Sequence, residues 1–182
     1  DAANVAIGYQ ALTAATTGVD NVAVGAAAGD AVTTGSDNTL IGDNSGGALT
    51  TGGNNVAVGS GALLVATTAA DNTAIGTLAL TANSSGTNNT AVGYAALDAH
   101  TTGDDNTAIG DNALGANTTA SDNTAVGSSA LLVNTTGTQR TAVGVESSYG
   151  SDTESDNTTS VGYRSMYMND ATSADATDSV AI

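Results

Sequence analysis

Hydrophobic and polar residues alternate within a short unit that the chain repeats without insertion or deletion from Asn4 to Asp156. The unit occurs nine times, so we number its places 1 to 17 from Asn4 and number the units as coils. Coil 1 is therefore 4–20, coil 6 is 89–105 and coil 9 is 140–156. So strict a period predicts a solenoid, in which each unit stacks on the one before it.

Places 2 to 4 of each unit predict a short β-strand that ends at a glycine. Place 4 is always Ile or Val and place 2 is Val or Thr, which are the residue types that favour strands. Place 3 points the opposite way and is Ala in every coil except coil 3, where it is Leu40. A position that accepts almost only Ala indicates close packing against another backbone. Glycine permits the sharp turn at place 5, which is occupied by Gly8, Gly25, Gly42, Gly59, Gly76, Gly93, Gly110, Gly127 and Gly144.

The remainder of each unit predicts a second strand and a return turn. Places 7 to 10 carry Ala at place 8 and Leu at place 9 in most coils, and the sequence Thr-Thr-Gly-x-Asp that follows is rich in turn formers. The predicted fold is an all-β, parallel β-solenoid or β-roll of about ten coils with two short strands each. With a spacing of about 4.8 Å between coils, the rod would be on the order of 50 Å long.

Stacking in register places like residues above like residues, which predicts two polar columns. The amides at place 1 would form a structural ladder of hydrogen bonds like those of cross-β stacks. Asp fills place 17 in most coils, and we interpret that column as a solvated turn, with calcium binding as the alternative. The Gly-Gly-x-Gly-x-Asp signature of calcium-binding β-rolls is absent. The ladder at place 1 consists of Asn4, Asn21, Asn38, Asn55, Asn72, Asn89, Asn106 and Asn123.

The negative net charge of the chain narrows the range of binding partners that we expect. The 182 residues contain 18 acids against two Arg and no Lys, so we expect no nucleic acid and no anionic lipid as a partner. No apolar run is long enough to span a bilayer, so we expect no membrane insertion in this segment. The composition would also suit a disordered chain, but disorder does not explain nine units in phase. The chain starts at Asp1, and we interpret it as part of a longer protein.

The core that each unit offers is thin, which predicts association between chains. Each coil contributes one Ile or Val, usually one Leu and several Ala, while ordering each residue costs about 1–2 kcal/mol of backbone entropy. Side-by-side packing through the Ala face at place 3 would bury more surface. We therefore expect a homotrimer, with a monomeric solenoid as the alternative.

The motif Asn-Val-Ala-Ile-Gly at 4–8, with Asn-Val-Ala-Val-Gly at 21–25 and 55–59, resembles the head repeats of trimeric autotransporter adhesins. Residues 179–182 are similar to the Ser-Val-Ala-Ile form of that motif. The later coils also resemble repeats of fibre proteins such as phage tail fibres. The resemblance implies a left-handed β-roll with three chains to one head, located outside the cell or on a virion. The 17-residue period of this chain departs from the adhesin pattern, since adhesin heads usually have a shorter repeat.

The last part of the chain breaks the pattern. We divide the chain into a regular solenoid, 1–156, and an irregular terminal segment, 157–182, which would form a cap or a transition to a further segment. Both Arg, both Met and three of the five Tyr lie from Arg140 onward. Exposed Tyr and Arg are typical of contact patches, so a possible contact patch comprises Tyr149, Tyr163, Arg164 and Tyr167.

Chemistry-bearing residues are sparse, and we expect neither an enzyme nor a cofactor nor a metal site. His100 is the only His and there is no Cys. The acid pairs Asp43/Asp111 and Asp30/Asp98 lie four coils apart, about 19 Å at the stacking distance, which exceeds the spacing of a glycosidase pair. A tailspike-type glycan hydrolase is thus the least favoured hypothesis.

The leading hypothesis is a non-enzymatic structural or adhesive segment of an extracellular or virion fibre. It would act as an adhesin head or a tail-fibre shaft, and its partner would be a cell-surface receptor or glycan. The alternative is an ice-binding solenoid that uses the stacked Thr-Thr pairs at places 13 and 14. Adjacent residues of a strand point to opposite faces, so such a pair would supply one outward row.

Overall fold

The chain forms one parallel sheet along the side of a β-solenoid, which confirms the predicted fold class. The computed structural model describes residues 3–150, 156–167 and 180–181, and these residues form no helix. The strands are β1 Val5–Ile7, β2 Val22–Val24, β3 Thr39–Ile41, β4 Val56–Val58, β5 Thr73–Ile75, β6 Thr90–Val92, β7 Thr107–Ile109, β8 Thr124–Val126, β9 Thr141–Val143, β10 Thr159–Val161 and β11 Val180–Ala181.

Each strand pairs with the next one in the chain, so that equal places of neighbouring coils are partners. Val22 pairs with Thr39, for example, and Ile75 pairs with Val92. The ten pairings run in sequence order from β1 to β11. Between β9 and β10, Thr141 pairs with Thr159, one position later than the period gives, so coil 10 begins at Thr158. Residues 168–179 and Ile182 of the predicted terminal segment lie outside the described residues.

The second strand predicted at places 7 to 10 is wrong: each described coil has one strand. After the glycine at place 5, the backbone enters the left-handed region at place 7 and again at place 9, as at Ala95 (φ 49°) and Leu97 (φ 52°). These two residues curl the chain where a strand would have kept it extended. The amide of place 9 still donates to the carbonyl of place 8 in the next coil, as from Leu97 to Ala113 at 3.1 Å.

The two faces of the strand are the reverse of what the sequence suggested. The place 3 alanines point into the coil, and each one from Ala23 to Ala142 is fully buried, as is Leu40. The Val, Ile and Thr side chains at places 2 and 4 point outward, so that Ile75 is 40% exposed and Ile109 41% exposed. The prediction that place 3 faces a further chain is therefore wrong, because its alanines pack in the interior of their own coil.

The interior is narrow, which explains why place 3 is Ala. It must also hold the Leu of place 9, the Asn of place 1, the Ala of place 8 and the residue at place 12. Coil 3 shows the limit, because Leu40 fits only where place 9 is glycine. A Cβ added to Gly46 in the same coil would lie 2.8 Å from Leu40 Cδ2, and one added to Gly29 in coil 2 would lie 2.6 Å from Leu40 Cδ1.

Candidate functional site

The outward side of the sheet is a candidate surface, and we call it the sheet face. It consists of the place 2 and place 4 side chains of ten coils and carries no charge, although the chain has a net charge of −16. With strands about 4.8 Å apart, this strip is roughly 48 Å long and 10 Å wide. Its residues are Val5, Ile7, Val22, Val24, Thr39, Ile41, Val56, Val58, Thr73, Ile75, Thr90, Val92, Thr107, Ile109, Thr124, Val126, Thr141, Val143, Thr159 and Val161.

An uncharged strip of this size is unusual on a strongly acidic chain. Its area is on the order of 500 Å², near the upper end of the largest apolar patches on monomeric proteins. Because these β-branched side chains point outward at every strand, they do not pack in the interior of their own coil. The strip presents methyl groups throughout and a hydroxyl at seven of the ten place 2 positions.

The eight asparagines proposed as a ladder lie in one file inside the solenoid. From Asn21 onward, the backbone N–H of each place 1 residue donates to Oδ1 of the preceding asparagine at 2.9–3.1 Å. The Nδ2 of Asn89 crosses its coil to the carbonyl of Gly103 at 2.9 Å, and the other coils up to coil 7 make the equivalent bond. The buried amides are thus paired, which removes most of the cost of burying them.

The ladder ends on Arg140, a fully buried arginine whose role in the interior was not predicted from the sequence. The Arg140 backbone N–H takes its place in the ladder by donating to Asn123 Oδ1 at 3.1 Å. Its fully buried guanidinium donates from Nη1 to Asn134 Oδ1 at 2.8 Å and from Nε to Thr158 Oγ1 at 3.2 Å. The signal in the sequence was the one departure from Asn at place 1 among the nine regular units.

The structure brings together all four residues of the possible contact patch. The rings of Tyr149 and Tyr167, both at place 10, stack with centroids 5.2 Å apart. The Arg164 guanidinium lies 4.6 Å from the Tyr167 ring centroid and 5.2 Å from that of Tyr163. It also forms an ion pair with Glu146, its counterpart at place 7 of coil 9, which raises the pKa of Arg164. The groups of this patch therefore largely bind one another, and they join coil 9 to coil 10.

We expect replacement of Arg164 by Met to loosen coil 10 without affecting the rest of the rod, because the variant loses both the ion pair and the cation–π contacts. Hydrogen exchange should accelerate at Gly150, whose amide donates to the Tyr167 carbonyl, and stay unchanged in coils 3 to 5. Tyr94→Ala is the control, since Tyr94 is an exposed residue at the same place as Tyr163. Equal exchange at Gly150 in wild type and Arg164→Met would contradict this role.

The paired threonines have a different role from the one expected of an ice-binding row. The place 13 hydroxyls donate to the place 13 carbonyl of the next coil at 2.8–3.3 Å, as from Thr101 to Thr118. The side chains at place 14, such as those of Thr102 and Thr119, are exposed. Each pair thus gives one outward row, which runs along a bend of the chain and not along a strand.

The acidic residues within the described ranges do not assemble into a site. Five aspartates at place 17, those of coils 1, 2, 4, 6 and 7, adopt the left-handed conformation with φ of 57–62°. Asp and Asn tolerate it better than most residues, so the backbone explains this column. Among the described residues, no group of three or more His, Asp or Glu side chains could hold a metal ion. Burial raises the pKa of Asp98, but Asp30 stays four coils away from it along the stack.

Comparisons with known proteins add no further identification: no protein-family model matches the chain, and neither does any curated protein or solved structure. Within the described ranges, no helix has the length and apolar character needed to cross a membrane.

Proposed function

We propose that the chain is a non-enzymatic segment of an extracellular or virion fibre, a head or shaft that presents or makes surface contacts. The observation that carries the proposal is the sheet face, an uncharged strip that follows the whole length of a regular acidic rod. In a fibre this strip is the contact between chains. The acidic remainder stays in water and keeps separate fibres apart by charge repulsion.

Three copies around a common axis are the proposed assembly. The expected trimer now uses the sheet face at places 2 and 4, because the alanines at place 3 are buried within each coil. A strip on the order of 500 Å² falls short of the roughly 800 Å² per partner of a standard interface, so a simple two-fold contact of the strips is small. A three-fold arrangement lets each chain contact two neighbours and bury the rows that flank the strip. The resemblance to trimeric autotransporter adhesins and tail fibres supports this choice.

Charge placed on the sheet face should dissociate the assembly, because each buried carboxylate would have to leave water without a partner. We expect wild type to have the mass of a trimer by light scattering and Ile75→Asp/Ile109→Asp to have that of a monomer with an unchanged circular dichroism spectrum. The matched control is Ser85→Asp/Thr119→Asp, which adds the same charge in the same two coils at the exposed place 14. A monomeric wild type, or a trimeric face variant, would refute the proposed contact.

A role in adhesion needs a separate experiment on the parent fibre. We expect deletion of this segment to reduce the number of attached cells or particles, by removing either the contact itself or the reach that presents it. Replacement by an unrelated solenoid of equal length distinguishes these two roles. Attachment that is unchanged by the deletion would exclude adhesion.

Ice binding is the second candidate, and the regular spacing of the sheet face now favours it more than the Thr pairs do. Thr at place 2 and Val or Ile at place 4 recur in six successive coils, from Thr73 to Val161. They form two straight rows about 6.7 Å apart with a repeat of about 4.8 Å. A monomeric wild type with thermal hysteresis that Ile75→Asp/Ile109→Asp abolishes would select this function. A trimer without hysteresis would dismiss it.

A further inference from the structure

The interior of the solenoid changes character halfway along the rod. Place 12 lies in the core, and it is apolar in the first four coils, with Ala15, Val32, Leu49 and Ala66. In coils 5 to 8 it is polar and still fully buried, with Asn83, His100, Asn117 and Asn134. The polar half of the column closes a turn in each coil by bonding to the residue three positions later.

Each asparagine of this column satisfies both groups of the backbone that it faces. Oδ1 of Asn83 accepts the amide of Gly86 at 2.7 Å, and Nδ2 donates to the Gly86 carbonyl at 3.1 Å. Asn134 binds Gly137 in the same way, at 3.1 Å and 2.9 Å. A side chain with one donor and one acceptor in this geometry therefore holds the turn.

His100 reproduces only half of that arrangement. Its Nε2 bonds to the Gly103 carbonyl at 2.7 Å, which assigns the proton of the neutral ring to Nε2. Its Nδ1 is buried and has no hydrogen-bond partner. A second proton would sit on Nδ1, and it would place a charge in the core of coil 6, away from water.

Burial lowers the pKa of His100, because a cation in the core of the coil would lose its hydration. Three groups raise the pKa of His100, but desolvation outweighs them. They are the Gly103 carbonyl and the Asn117 side chain, through hydrogen bonds, and the Asp104 carboxylate, through its charge. Oδ1 of Asp104 already accepts two hydrogen bonds from Thr87. Coils 5 and 7 present neutral asparagines to the ring at the same place, and the hydrogen bond to Asn117 favours the protonated ring without offsetting its desolvation.

We propose that His100 makes coil 6 an acid-sensitive weak point of the rod, where protonation of Nδ1 opens the turn 100–103 while the other coils stay closed. The rod then gains a joint within its polar-cored half, one coil beyond the change from an apolar to a polar core. The opening is confined to coil 6 because the other polar coils carry asparagine at place 12, and asparagine does not titrate.

The direction of the pH effect follows from proton linkage. The unfolded or opened segment binds a proton near the ordinary histidine pKa of 6.5, and the closed coil binds it only at lower pH. The stability of coil 6 is therefore fully present above pH 6.5 and declines as the pH falls below it, until the lowered pKa of the closed coil is reached. Asp98 in the same coil has a raised pKa, so its titration acts in the opposite direction and cannot imitate this effect.

The test is hydrogen exchange on the intact chain between pH 7.5 and 5.5, expressed as protection factors so that intrinsic exchange cancels. We expect protection in coil 6 to fall by up to about tenfold for each pH unit below 6.5, while coil 3 stays constant. His100→Asn copies the residue found at place 12 of coils 5, 7 and 8 and should remove the pH dependence.

His100→Leu provides a second neutral variant, which copies Leu49 at the same place, should the asparagine variant fold poorly. Constant protection of wild-type coil 6 across this pH range would overturn the proposal. It would also be overturned if a folded neutral variant lost protection as wild type does, because the proton would then bind elsewhere.

Discussion

Gly93→Ala is expected to destabilise the rod by more than about 4 kcal/mol or to prevent folding altogether, which is at the extreme of single substitutions. Two causes act together at this position. Gly93 has φ of +139°, a conformation essentially closed to residues with a side chain. An added Cβ would also lie 2.4 Å from the carbonyl oxygen of Gly110 in the next coil, and that backbone can move only if the coils separate. The measurement is chemical denaturation followed by circular dichroism.

Two further glycines of the same chain separate the causes. Gly61 has a left-handed φ of +66°, and its added Cβ would first meet the flexible Leu78 side chain at 3.1 Å, so Gly61→Ala has mainly the conformational cost of about 1–2 kcal/mol. Gly47 has an ordinary φ, and its Cβ would meet the flexible Leu64 side chain at 3.3 Å, so Gly47→Ala should be nearly neutral. An equal effect of all three substitutions would show that close stacking at place 5 is not what restricts these positions.

Leu40→Ala should cost about 2–5 kcal/mol, the range for truncating a fully buried leucine. Leu40 fills a space between Gly29 and Gly46 that the Leu of place 9 occupies in most other coils. Neither glycine has a side chain that could move into the resulting cavity. Denaturation monitored by circular dichroism gives the loss in the free energy of unfolding.

Gly46→Leu should rescue part of that loss, although it is destabilising when introduced alone. With Leu40 present, the new side chain would overlap Leu40 Cδ2; with Ala at position 40, it restores the Ala and Leu combination of coils such as 55–71. The left-handed φ of +59° at Gly46 is close to the +54° of Leu63, so the backbone already suits leucine. A double-mutant cycle should give a favourable coupling of about 1–3 kcal/mol. Additive losses would mean that the two positions do not share this space.

The stacking could be predicted from the sequence because it depends only on the period. Nine units without an insertion leave the register no freedom, and the invariant glycine at place 5 marks where the backbone must turn. The pairing of Ile75 with Val92 and the in-register asparagines follow directly. The Tyr149 and Tyr167 stack follows less directly, since it requires the register between coils 9 and 10 to exceed the period by one position.

Which side of the strand faces inward could not be predicted from alternation alone. Period-2 patterns define two faces but do not say which one is buried, and Val and Ile are ordinarily the core residues. Here the deciding quantity is the space inside so short a coil, which the residues at places 1, 8, 9 and 12 already fill. A clue lay in coil 3, where Leu40 at place 3 coincides with Gly46 at place 9.

The missing second strand has a similar explanation. Leucine rarely adopts positive φ, so Leu97 and its equivalents at place 9 gave no sign of a left-handed turn. The glycines at place 9 of coils 2 and 3, and Asn44 and Gly61 at place 7, were the residues that showed what the backbone requires. Burial of the leucine in the core compensates for the strained backbone in the other coils.

Every strand contacts only the strands of the coils immediately before and after it. No contact within the described rod therefore fixes the number of coils, because the residues at its two ends do not touch each other. Copying or losing a block of 51 nucleotides in the gene, one coil's worth at three per residue, would join surfaces that already fit. The length of such a protein can thus evolve one coil at a time through recombination between its own repeats. The residues exposed along the sides of the rod keep their identity and arrangement in the process.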